Sequence, residues 1–100
     1  MEPAQGAVVS LASDREVLEY LRRAMDDPRL RDEVWLELAP TPHLRAEVQP
    51  GELGEPPAAL PCYPPRLALL LQHELIGQRS GNRPRLYLTL EGRETLERSG

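Results

Sequence analysis

Proline sets the first limit on this chain of 100 residues. Most of its eleven prolines fall between residues 39 and 65, in the stretch PTPHLRAEVQPGELGEPPAALPCYPP. Proline lacks an amide proton and locks φ, so it breaks helices and central strands while lowering the entropy of the unfolded chain. Residues 39–65 are therefore expected to hold only short elements, one turn at PGEL and another at PPAAL. The stretch is too apolar and too internal for a linker, and it reads as a compact, stiff connector. A chain of this length makes one domain around one modest core.

The segment before the connector opens on a helix. Residues 1–12 read as an arm, and Ser13 with Glu16 has the spacing of a capping box. Val17, Leu18, Leu21, Ala24 and Met25 follow at helical spacing, with Arg15, Glu19, Arg22 and Arg23 on the opposite face. Glu19 and Arg23 are placed for an i,i+4 pair. A second helix is expected over DDPRLRDEVWLELAP, capped by Asp27, with Pro28 in its first turn and Asp32 and Glu33 near its positive end. Its rival is a β-hairpin over residues 33–49. Val34, Leu36 and Leu38 also alternate, as do Leu44, Ala46 and Val48. The Asp27-Pro28 pair favours the helix.

After the connector, residues 64–76 (PPRLALLLQHELI) predict a third helix, with Pro64-Pro65 at its start and Gly77 supplying a left-handed cap. Leu67, Leu70, Leu71 and Leu75 form the inward stripe, while Arg66, Leu69, Gln72 and His73 face outward. Residues 77–90 predict two strands around a Ser80-Gly81-Asn82 turn. Leu86, Leu88 and Leu90 point to the core there. Residues 91–98 fit a short closing helix.

Composition narrows the class. Hydrophobic residues make up 40% of the chain, but Trp35, Tyr20, Tyr63 and Tyr87 are its only aromatics, so the core is built mostly from Leu, Val and Ala. No apolar run approaches the ~20 residues of a membrane span, and the N-terminal residues lack the pattern of a secretory signal. Cys62 stands alone, which fits a reduced cytoplasmic setting. Cys62, His43 and His73 lack the close spacing of metal-sensing ligand sets, so no metal is expected and the thiol reads as buried. There is no phosphate loop, nucleophile elbow or zinc signature. Neither an enzyme nor a cofactor is expected.

The net charge is −4, a mild argument against nucleic acid. Its distribution softens that argument. Residues 1–62 hold six Arg against twelve acids, whereas residues 63–100 hold six Arg against four. All twelve basic residues are Arg, the side chain suited to bidentate contact with phosphate or guanine.

The order helix, helix, connector, helix, two-stranded ribbon, helix resembles a winged helix-turn-helix domain. LALLLQHELIGQRSGNRPRLYLTLEGRETLER is similar to the recognition-helix and wing segment of the ArsR, MarR and PadR groups of bacterial regulators. Leu67, Leu70, Leu75 and Ile76 match the pattern before the wing; Tyr87, Leu88, Thr89, Gly92 and Arg93 match the one after it. The glycine those families place before Leu-Ile is Glu74 here. DDPRLRDEVWLELA looks like the ArsR-type second helix, and GEL at 51–53 like the start of the third.

The resemblance implies an α+β, mainly α fold: a winged helix-turn-helix over residues 13–100, with a recognition helix at 64–76, a wing at 77–90 and a C-terminal helix. It implies a cytoplasmic transcriptional regulator that binds double-stranded DNA as a homodimer. Arg79, Arg83 and Arg85 on the wing are the expected phosphate or minor-groove contacts. Tyr63, Arg66, Gln72 and His73 are the expected contacts of the recognition helix. The alternative is the same scaffold turned to protein binding, an adaptor or an inhibitor that mimics DNA through the cluster from Asp26 to Glu37, supported by the acidic first half, the apolar PPAALPCYPP and a recognition-helix opening that lacks small polar residues.

Overall fold

The computed structural model describes residues 11–81 and 83–99. Most of the expected arm and Asn82 of the turn lie outside the described residues. Helix α1 spans Asp14–Asp26, strand β1 Val34–Glu37, strand β2 His43–Arg45 and strand β3 Leu60–Pro61. Helix α2 spans Pro64–Gln72, strand β4 Ile76–Arg79, strand β5 Arg85–Leu88 and helix α3 Leu90–Ser99. The strands form one antiparallel sheet in the order β3-β2-β1-β5-β4.

This architecture overturns the expected mainly-α winged helix-turn-helix. Where the second helix was expected, the chain forms β1 and enters a hairpin with β2, the rival pattern over residues 33–49. Asp27 takes part in a turn there. Its carboxylate accepts the Arg29 amide at 2.9 Å and its carbonyl accepts the Leu30 amide at 3.0 Å. Asp27-Pro28 thus closes a turn after α1 and starts no helix. Backbone pairing then continues away from the hairpin. The Arg31 amide donates to the Glu47 carbonyl at 3.0 Å and the Gln49 amide to the Arg29 carbonyl at 2.8 Å. Among the described residues three strands and no helix separate α1 from α2, so no helix-turn leads into α2 as a helix-turn-helix requires.

Alternation sorts the strands into two faces. Val34, Leu44, Ile76, Leu86 and Leu88 are buried under the helices. Facing them are Val17, Leu18, Leu21 and Ala24 of α1, Leu67 and Leu70 of α2, and Leu96 of α3. The connector supplies Ala46 and Cys62 to the same core. The other sheet face carries the polar and aromatic residues. The described residues therefore form a two-layer stack and leave the other sheet face open.

The helix ends carry their own chemistry. Ser13 caps α1, and the reciprocal Ser13–Glu16 box forms as expected. Glu19 pairs with Arg15 at 3.2 Å instead of Arg23. Helix α2 stops at Gln72, four residues short of the expected end. The Leu75 amide reaches the Leu70 carbonyl and the Glu74 amide the Leu71 carbonyl, both at 3.0 Å. This is a Schellman closure, and its left-handed residue is Glu74, with φ of 62°. Gly77 is needed for another reason, since a Cβ there would collide with the Tyr87 ring. Leu71 and Leu75 are only half-buried. Leu90, expected in the core, opens α3 and is 72% exposed. Residues 51–53 begin no helix, since Gly51 has a φ of 89° in a turn closed by the Glu52 amide on Gln49.

Candidate functional site

The open face of the sheet is built by cross-strand register. Trp35 of β1 lies opposite Arg45 of β2 on one side and Arg85 of β5 on the other, and Arg85 lies opposite Arg79 of β4. Arg45, Trp35, Arg85 and Arg79 thus form one row across four strands. In the neighbouring rows, Glu37 pairs with His43 and Tyr87 with Gly77. The missing side chain at Gly77 leaves room for the Tyr87 ring.

Guanidinium groups stack on both aromatics of this face. Arg83, from the turn between β4 and β5, sits 4.1 Å from the Trp35 ring centroid, and Arg85 lies at 5.7 Å. Arg79 sits 4.6 Å from the Tyr87 centroid. All three distances are in the range where a cation is attracted to a ring face. Arg79 and Arg85 are like charges directly opposite each other, an arrangement that alone would be unfavourable.

Glu33 resolves that conflict, and Glu37 holds the other two arginines. Glu33 accepts from Arg79 and Arg85, each at 2.9 Å and each through a different oxygen. Glu37 accepts from Arg45 at 2.8 Å and from Arg83 at 2.7 Å. The Arg45 hydrogen bond holds the Glu37 carboxyl below its usual range, and the charges of Arg45, Arg83 and His43 add to that effect. His43 places Nε2 3.4 Å from Glu37 and donates from Nδ1 to the Thr41 carbonyl at 2.7 Å. Arg45 also reaches Glu47 at 3.2 Å.

The expected site residues divide into two groups. Arg79, Arg83 and Arg85 come together on the open face. Tyr63, Arg66, Gln72 and His73 belong to α2 and its caps, outside that face. Arg66 is held by Asp14 through two hydrogen bonds, of 3.1 and 2.7 Å, which tie the starts of α1 and α2 together. Tyr63 is the N-cap of α2 but makes no capping bond with its side chain. Gln72 and His73 are exposed at the far end of the helix.

Trp35, Arg45 and Tyr87 were not anticipated as parts of a site, and Glu33 and Glu37 were expected only within a DNA-mimicking acidic cluster. The hairpin alternation over 33–49 was the signal that could have placed Trp35, Glu37 and Arg45 on one face. Cys62 is buried, and burial pushes its thiol pKa up, away from the reactive thiolate. Among the described residues no group of three or more His, Cys, Asp or Glu is placed to hold a metal ion. No helix among them is long and apolar enough to cross a membrane. No protein-family model, curated protein or solved structure matches the chain.

Proposed function

We propose that this protein binds nucleic acid without catalysing a reaction, in the manner of a DNA-binding regulator, and that the contact surface is the open sheet face. The observation that carries this reading is the row Arg45–Trp35–Arg85–Arg79, with Arg83 stacked beside it. Guanidinium groups bind phosphate bidentately and aromatic rings accept bases, so the row combines the two contacts that nucleic acid needs. The row lies within one chain, so binding through it requires no second copy. The α2 residues are secondary in this reading, because they lie outside the open face.

The sole tryptophan of the chain, Trp35, makes the test direct. Titration with nucleic acid at low and moderate salt should change its fluorescence. Replacing Arg79, Arg83 and Arg85 together by Ala should weaken binding. The slope of log affinity against log salt should flatten by about 0.7–0.9 for each phosphate that the variant no longer neutralises.

A second reading has its own observation. Arg45, Arg79, Arg83 and Arg85 all carry carboxylate partners, on a chain whose net charge is −4. Trp, Tyr and Arg also dominate the centres of protein–protein interfaces. Absence of nucleic-acid binding at every salt concentration would leave an adaptor acting on a protein partner.

A further inference from the structure

We infer that the ligand of the open face is a single-stranded stretch of nucleic acid, whose phosphates take the places of the Glu33 and Glu37 carboxylates while its bases stack over Trp35 and Tyr87. The inference rests on the nucleic-acid reading above and names the form of nucleic acid that the same site takes.

The shape of the site disfavours a duplex. Strands lie about 4.8 Å apart, so a row across four of them spans roughly 14 Å between the outer backbones. The major groove of a duplex is about 12 Å wide and admits one helix or a two-stranded ribbon. A duplex also presents only base edges, because its ring faces are stacked internally. A single strand presents those faces, and open sheets with aromatics on the surface receive them.

Aromatic and guanidinium planes lie together on this face, Arg83 over Trp35 and Arg79 over Tyr87. A base can stack on the ring or on the guanidinium plane that covers it. The breadth of the surface across four strands, which makes it a poor reader of grooves, suits an unpaired strand lying across it.

The carboxylates mark where phosphates fit. Glu33 uses its two oxygens to hold two guanidinium groups, and Glu37 holds two with one oxygen. Phosphate offers the same geometry to arginine. Arg45, Arg79, Arg83 and Arg85 against Glu33, Glu37 and Glu47 leave one positive charge in excess to meet a polyanion. Free of ligand, Glu33 and Glu37 keep the guanidinium groups aligned on the face. They are therefore positioning residues that compete with the ligand.

The test compares labelled thymidine and uridine oligonucleotides of about ten residues with a duplex of matched length, using fluorescence anisotropy on the whole chain. Single strands should bind at least tenfold more tightly than the duplex. Trp35→Leu should weaken single-strand binding about tenfold, and Trp35→Phe should recover most of it. The Glu33→Gln/Glu37→Gln double variant should bind several-fold more tightly than the parent, the opposite of what loss of a merely structural pair would do. Circular dichroism verifies the fold of each variant. A duplex bound as tightly as a single strand overturns this inference and leaves the nucleic-acid reading standing. Unchanged single-strand affinity in a folded Trp35→Leu variant also overturns it. No binding of any nucleic acid, by parent or double variant, overturns both.

Discussion

Thr89 donates its hydroxyl to the Glu74 carbonyl across 2.6 Å, and the Thr89 hydroxyl oxygen accepts the Gly92 amide at 3.0 Å. One side chain thus joins the closure of α2 to the first turn of α3, just as β5 ends. Gly92 lies so close to Leu75 that an added Cβ would collide with the Leu75 carbonyl oxygen. The threonine and glycine of the L-T-x-x-G stretch therefore have a packing reason to stand three residues apart.

Gly92→Ala tests that contact through the sign of its effect. Helix propensity alone would favour the change by up to about 1 kcal/mol. Collision with fixed backbone should instead cost about 1–3 kcal/mol net. Urea unfolding would decide between them, and a raised midpoint would show that α3 does not sit against Leu75.

Glu74→Gly should act in the opposite direction. A non-glycine residue with φ of 62° bears a steric cost that glycine does not, and glycine is the preferred residue at this helix-closing position. The substitution should stabilise the protein by about 0.5–1 kcal/mol, read as a higher melting temperature. A loss of stability would mean that the Glu74 side chain contributes more than its backbone strain costs.

Tyr20→Phe probes the link between α1 and the connector. The Tyr20 hydroxyl accepts the Ala46 amide at 3.1 Å, and Ala46 is fully buried. Burial pushes the Tyr20 pKa up. Removing the hydroxyl leaves the Ala46 amide without that acceptor, which should cost about 1–3 kcal/mol. Hydrogen exchange at Ala46 should accelerate in the same variant, and an unchanged exchange rate would refute the bond.

Acid should weaken both the fold and the open face. Arg45 holds the Glu37 carboxyl below its usual value near 4.5, and Arg29 likewise lowers the pKa of Asp27. A carboxyl with a lowered folded-state pKa contributes stability that is fully present above its unfolded pKa. That contribution is lost as pH falls through the folded value. Unfolding midpoints should therefore decline from about pH 5 downward, and less steeply in Glu37→Gln. An equal decline in that variant would assign the acid sensitivity to other carboxyls.

Local pattern by itself determined the capped first helix, the inward Leu67 and Leu70 of α2, and the hairpin with Leu86 and Leu88 turned inward. In each of these, a cap or a hydrophobic period is satisfied by residues a few positions apart. The arginine cluster at 79, 83 and 85 was legible for the same reason, since one hairpin carries all three. Only the tertiary structure decided that residues 34–37 are strand, because Asp27-Pro28 suits a turn as well as a helix start and the choice depends on distant partners. Those partners are Arg45 and Arg85, which lie opposite Trp35 in the sheet. Arg85 is 50 residues along the chain from Trp35, and its pairing follows from sheet order, which no local period encodes. The left-handed Glu74 was hidden as well: α2 ends where Leu75 can reach back to Leu70 while Leu67 and Leu70 fill the core, and that balance exists only once the sheet and helices have packed.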